Sequence, residues 1–361
     1  MFYHFILPLS EHLGFLRLFQ YITFRSAYAA LTSLLMVLVF GNLVIRWLRL
    51  LKFGEEIREL GPESHRQKAG TPTMGGIIII GAVLASIALW GNFSSPYLNV
   101  LIGATVFLAG LGFADDYIKS ILRNKNGVPA RVKLLVQVIV AFGVAVLIYY
   151  MPANRQEVTT LYVPFINRSV ADMGLLWIAF AVVVIVATTN AVNLTDGLDG
   201  LATGSVMIVG VSLGIMSYLA GHSKIAMYLR IPYIPLAGEL TVFLAALIGA
   251  CMGFLWFNSN PATVFMGDTG SLALGGIIGI VAVMIKKEIF LFIVGGVFVA
   301  EALSVIIQVV SFRYRGKRVF KMAPIHHHFE LSGWPEQKVV TRMWILGIIL
   351  ALLGLSSLKI L

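Results

Sequence analysis

Five aspartates and a run of three histidines are the residues of this 361-residue chain whose types and spacing suit chemistry. Asp115 and Asp116 stand side by side in FADDYIK (113–119), Asp196 and Asp199 in NLTDGLDG (193–200), and Asp268 in FMGDTGS (265–271). His326, His327 and His328 follow one another in PIHHHFE (324–330), inside a Lys/Arg-rich connection. Each group interrupts or borders an apolar segment, where a charge is expensive and is usually functional or paired. Carboxylate oxygens in such a set suit Mg²⁺, which takes one or two carboxylates and completes its shell with water and phosphate oxygens. Lys119 lies four residues after Asp115 and three after Asp116, so on a helical turn it reaches either acid and is free to neutralise phosphate. Asp196 and Asp199, three apart, would share a face on a helical turn, and the glycines beside them and beside Asp268 permit close backbone approach by a ligand. Three adjacent histidines cannot all ligate one metal, and imidazole favours Zn²⁺ or Cu²⁺ over Mg²⁺, so hydrogen bonds to phosphate or sugar oxygens are expected of them. No GxGxxG or GxxxxGK[ST] segment stands in a strand-to-helix context, so the phosphate site is of another design.

Apolar helices must position these groups. Hydrophobic residues make up 58% and charged residues 12% of the chain, and the mean hydropathy is +0.89, which is far from a soluble domain and predicts an all-α polytopic integral membrane protein. Ten spans are expected, over about 24–47, 75–91, 97–114, 132–151, 173–189, 200–220, 239–257, 271–285, 289–312 and 342–358, taking about 20 residues per crossing. Most of the 27 Lys and Arg fall in the connections after the first, third and ninth spans. Basic connections stay in the cytoplasm, so both termini are expected outside and the five aspartates at the cytoplasmic edge. The net charge of +10 then serves topology and anionic lipid headgroups, not nucleic acid. No basic n-region precedes an apolar core near Met1, so no cleaved signal peptide is expected. The single cysteine, Cys251, excludes an intramolecular disulfide. With no repeat and no long polar connection, residues 1–361 read as one membrane domain. Glu301 and Gln308 in the ninth span are expected to make interhelical hydrogen bonds, and Trp47, Trp90, Trp177, Trp256 and Trp344 to anchor span ends.

Taken in order, GPESHRQKAGTPTMGG (61–76), DDYIK, NAVNLTDGLDGLA (190–202), GFLWFN (253–258), VFMGDTGSLALGG (264–276) and MAPIHHHFELSGWPE (322–336) resemble the polyprenyl-phosphate N-acetylhexosamine-1-phosphate transferases over essentially the whole chain. The resemblance implies ten helices and a Mg²⁺-dependent transfer of phospho-N-acetylmuramoyl-pentapeptide from UDP-N-acetylmuramoyl-pentapeptide to undecaprenyl phosphate, giving lipid I and UMP. It further implies an active site at the cytoplasmic face of a bacterial inner membrane, and it hints at a homodimer. Carried over by position, Asp268 matches the metal ligand and Asp115 the base for the lipid phosphate, with Asp116 as a third catalytic acid. Lys68, Thr73, Lys119, Asn190, Asn193, Asp196, Asp199, Asn258 and Phe265 match positions near nucleotide, phosphates or metal, and the three histidines join them on the substrate side. Two alternatives stand beside this one. A secondary transporter would carry its acids near the bilayer midplane instead of at one edge. A sister transferase using UDP-N-acetylglucosamine would share the aspartate motifs but lack the HHH connection.

Overall fold

Long apolar runs bounded by Gly, Pro or basic residues give nine helices long and apolar enough to cross a membrane among the described residues, so the chain is a polytopic all-α membrane protein. The computed structural model describes residue 3 and residues 14–51, 70–122, 124, 126–151, 158–166 and 169–358. A 3₁₀ helix at Gly14–Gln20 leads into α1 (Ile22–Leu50), followed by α2 (Gly76–Trp90), α3 (Pro96–Ser120) and α4 (Ala130–Tyr150). A short hairpin, β1 (Thr160–Tyr162) and β2 (Ser169–Asp172), precedes α5 (Leu176–Thr195), α6 (Leu201–Gly221), α7 (Ser223–Leu229) and α8 (Gly238–Asn258). Then come α9 (Gly267–Met284), α10 (Glu288–Val294), α11 (Gly296–Arg315), α12 (Ile325–Glu330) and α13 (Glu336–Ser356).

Three expectations need adjustment. The stretch 75–91 forms α2, an apolar helix of 15 residues, about 22 Å long and so short of the roughly 30 Å hydrocarbon core. The span expected over 289–312 is broken at Gly295 into α10 and α11, because two consecutive glycines weaken the helix there. The HHH connection folds into α12 where a loop was expected. The hairpin had no sequence signal; it is antiparallel, pairing Thr160 with Asp172 and Leu161 with Ala171.

The centre of the molecule is α9, whose apolar window is 89% buried and which packs against α2, α3, α5 and α6. Its sequence, GDTGSLALGGIIGIVAVM, is rich in small residues, which let neighbouring backbones approach where lipid offers no hydrophobic drive. Gly112 shows the effect: a Cβ there would overlap the backbone carbonyl of Asp268, so only glycine lets α3 and the start of α9 touch. On the far side, α1 lies along α8 and α8 along α6. Arg25 of α1 forks onto Glu239 of α8 at 2.8 and 2.5 Å, and Asn92 N donates to the same carboxylate. That pair satisfies two charges that would otherwise be stranded among apolar helices. Trp177 departs from its expected role as an anchor. It is fully buried, with Lys286 4.5 Å over its ring and its Nε1 donating to Glu288.

Candidate active site

The C-terminal half of α3 and the N-terminus of α9 meet at three carboxylates. One oxygen each from Asp115, Asp116 and Asp268 lies within 4.8 Å of the others. The backbone creates this closeness at two glycines. Gly112 admits α9 as described, and Gly267, at φ 73, takes the left-handed turn that starts α9 where an added Cβ would press on the Asp116 carboxylate and the Thr73 hydroxyl.

Each acid is held differently. Asp116, 4% exposed, accepts Asp268 N at 3.1 Å, Thr269 N at 2.9 Å and Thr269 Oγ1 at 2.6 Å. It therefore caps the first turn of α9, which has no cap from its own N-cap residue, and its charge faces the positive end of the helix dipole. Asp115 is fully buried. Its Oδ1 accepts Val128 N at 2.7 Å, and its Oδ2 pairs with Lys119 at 2.5 Å and Lys133 at 2.7 Å. Asp268 is the most open of the three, its side chain 17% exposed. Its Oδ2 pairs with Lys133 at 2.7 Å and Lys119 at 3.4 Å, and its Oδ1 accepts Asn193 Nδ2 at 2.9 Å. Three carboxylates against two ammonium groups leave net negative charge among hard oxygen donors, which suits a divalent oxygen-seeking cation.

The expected residues divide into two groups. Lys119, Asn193 and Thr73 join the carboxylates, and Asn190 stands one turn behind Asn193 with its Nδ2 donating to Gln137 of α4 at 2.6 Å. Asp196 is the C-cap of α5 and half-buried. Asp199 faces away from the cluster: its Oδ2 accepts Asn260 Nδ2 at 3.0 Å and Ala262 N at 3.1 Å, while its backbone N–H donates to Glu336. The helical face proposed for Asp196 and Asp199 does not form, because residues 196–200 are a turn between α5 and α6. Asn258 is a staple beneath that turn, accepting Gly200 N and Thr203 Oγ1 and donating to Val264 O. Phe265 is half-buried and its backbone bridges to Pro72 and Gly75. Lys68 lies outside the described residues.

The histidines are not equivalent. His326 is fully buried and pairs through Nδ1 with Glu301 at 3.0 Å. His327 pairs through Nδ1 with Glu330, and His328 Nδ1 accepts Lys321 N. Both keep some exposed surface. Glu301 thus makes the expected interhelical hydrogen bond, to the short α12, whereas Gln308 binds the backbone of Val319 and Phe320 in the connection and reaches no other helix through those bonds.

Lys133 is the site residue that sequence reasoning passed over. It belongs to the basic connection after the third span, yet it sits in the first turn of α4, where a cation opposes the helix dipole. A lysine in that unfavourable place, with Gln137 one turn on, was the available signal.

Two family models match this geometry's segments. The glycosyl transferase family 4 model covers residues 98–286, and phospho-N-acetylmuramoyl-pentapeptide-transferase signature 1 covers residues 68–80. A phospho-N-acetylmuramoyl-pentapeptide-transferase of Leptospira biflexa is 51% identical over 356 residues, 96% of each chain. Proteins of the same name from Desulfosudis oleivorans and Thermodesulfovibrio yellowstonii are 49% and 48% identical over 361 residues, all of each chain. With half the chain inside one family model and full-length relatives near 50% identity, this chain belongs to the phospho-N-acetylmuramoyl-pentapeptide-transferase family.

Proposed function

We propose that the chain transfers phospho-N-acetylmuramoyl-pentapeptide from UDP-N-acetylmuramoyl-pentapeptide to undecaprenyl phosphate, forming lipid I and UMP. The observation that carries this is the meeting of Asp115, Asp116 and Asp268 with Lys119 and Lys133 at the ends of apolar helices. There a lipid phosphate at headgroup depth can reach a soluble nucleotide sugar. The proposal includes ten spans with α2 as the short one, both termini outside, and the site on the cytoplasmic face of a bacterial inner membrane.

Asp268, the least buried of the three carboxylates, would hold Mg²⁺ with water and phosphate oxygens, and that ion would supply charge neutralisation to the pyrophosphate and the departing UMP. The remaining work falls to side chains. Lys119 and Lys133 swing from the carboxylates toward the incoming phosphates, to which they are better matched in charge. Asp115 is then released to take the last proton of the lipid phosphate, whose oxygen attacks the β-phosphate of the donor. Asp116 holds the first turn of α9 in register, and Asn193 orients Asp268. Thr73, Asn190, Asp196, Phe265, His327 and His328 border the donor, while Asn258 and Asp199 secure the turn beneath it.

The test is UMP release from purified protein given Mg²⁺, undecaprenyl phosphate and the UDP-muramoyl-pentapeptide. UDP-N-acetylglucosamine is expected to serve at least about a hundredfold less well in kcat/KM, a gap of ~2.7 kcal/mol. No UMP, or equal use of both donors, refutes the proposal. UMP release, or stoichiometric covalent label from the donor, without the lipid would replace direct attack by a two-step route through an enzyme carboxylate.

A further inference from the structure

Glu301 is an ionisable side chain in the second turn of α11 that touches none of the carboxylates or lysines of the site. It is fully buried, a costly place for a carboxyl group unless it does something. Its Oε2 lies 3.0 Å from His326 Nδ1 and 3.4 Å from His326 N. A carboxylate on Nδ1 makes that nitrogen the donor and fixes the ring plane. The other ring nitrogen, Nε2, is buried and has no hydrogen-bond partner, and the same holds for Glu301 Oε1. Buried polar atoms left unpaired call for an explanation beyond stability.

His326 Nε2 points at Gly197. A Cβ on Gly197 would overlap Nε2, and Cε1 would lie 2.9 Å from it, so the imidazole occupies the space a side chain would need. Gly197 follows the C-cap of α5, Asp196, and comes four residues after Asn193, whose amide holds Asp268. Glu301, His326 and Gly197 therefore form a continuous strut from α11 to the end of the helix that bears Asn193 and Asp196.

We propose that Glu301 is a positioning residue for the transfer: through His326 it sets where the 196–200 turn, and with it the C-terminal end of α5, stands against Asp268. The donor's phosphates and sugar meet this end of α5 on the reading above, on which the proposal rests. A tilt of the ring moves the turn by a fraction of its own width, and misplacement of about 1 Å near reacting groups costs on the order of a hundredfold in rate.

The test is a set of five variants, Glu301→Ala, Glu301→Gln, Gly197→Ala, His326→Ala and the Gly197→Ala/His326→Ala double, assayed for UMP release and for donor affinity by calorimetry, with thermal midpoints measured alongside. Glu301→Ala is expected to lower kcat/KM for the donor at least about tenfold, with the lipid KM held within about twofold. Glu301→Gln, whose amide oxygen still accepts from Nδ1–H, is expected to restore most of that loss at an unchanged thermal midpoint. Gly197→Ala is expected to cost at least about fiftyfold in the parent chain but less than about threefold in a His326→Ala background, since the overlap is gone. Equal losses in Glu301→Ala and Glu301→Gln that track a fall in thermal midpoint would reduce Glu301 to a stability role and overturn the proposal. Additive Gly197 and His326 effects would overturn it too, and that cycle decides alone if Glu301→Ala does not fold. A parent chain that binds donor but releases no UMP refutes the transfer reading instead, and the cycle is then scored on donor affinity.

Discussion

Asp116→Asn separates holding a helix from holding a metal. In the structure the Asp116 carboxylate accepts three hydrogen bonds from the first turn of α9. An asparagine of the same shape, with its oxygen placed at the Thr269 side, keeps two of them and turns an NH₂ toward Asp268 N–H. The loss is one hydrogen bond to a charged acceptor, about 1.5–3 kcal/mol, together with a charge at the helix N-terminus worth up to about 2 kcal/mol when partly buried. These overlap, so about 3 kcal/mol is the expected net cost, local to the turn that carries Asp268. UMP release should fall by on the order of a hundredfold, since 1.4 kcal/mol of misplaced transition-state contact is a factor of about ten. The thermal midpoint in detergent should drop by several degrees, and the Mg²⁺ concentration for half-maximal rate should stay within about threefold of the parent. The assay is a Mg²⁺ titration of UMP release paired with thermal unfolding of the same samples. An unchanged thermal midpoint with half-saturation shifted at least about tenfold would refute the cap and make Asp116 a metal ligand.

Other outcomes test the rest of the site and the fold. Asp268→Asn should be nearly inactive from pH 6 to 9, whereas Asp115→Asn should recover part of its rate over that range because the lipid phosphate, with a second pKa of about 6, loses its proton unaided; parallel pH profiles would refute the division of roles. A cysteine in place of Gly316 should resist an impermeant thiol reagent added outside whole cells and react after lysis, and labelling from outside would invert the topology. Burial pushes the Lys287 ammonium from its ordinary 10.5 down to about 8, with Glu288 opposing the shift. The fold therefore carries the penalty in full below about pH 8 and sheds it as pH rises toward 10.5, because the folded lysine loses its proton first. Lys287→Met should stabilise by at most about 3 kcal/mol at pH 7 and by almost nothing above pH 10.5; equal gains at both pH values would refute this account.

Apolar run lengths and the placement of Lys and Arg were enough to specify a polytopic helical protein, and motif order was enough for the family, because both are properties of the chain read in one dimension. The carboxylate set was half legible for the same reason. Asp115, Asp116 and Lys119 share one helical turn, so their proximity follows from 3.6 residues per turn. Asp268 joins them only because Gly112 and Gly267 let α3 and the start of α9 touch, and no spacing encodes that. Asp199 and Asn258 are identical in kind to Asp268 and Asn193, yet the turn at 196–200 takes the first pair into staples of its own loop, while Asn193 holds Asp268 at the site. Lys133 and Glu301 were visible as charges, one in a basic connection and one in a span. Their partners, Asp115 and Asp268 for the lysine and His326 for the glutamate, lie from 18 to 135 residues away. Local sequence decides which segments become helices and what each can offer chemically. Which offers meet is decided by packing between helices, through close approaches that depend on atoms glycine lacks.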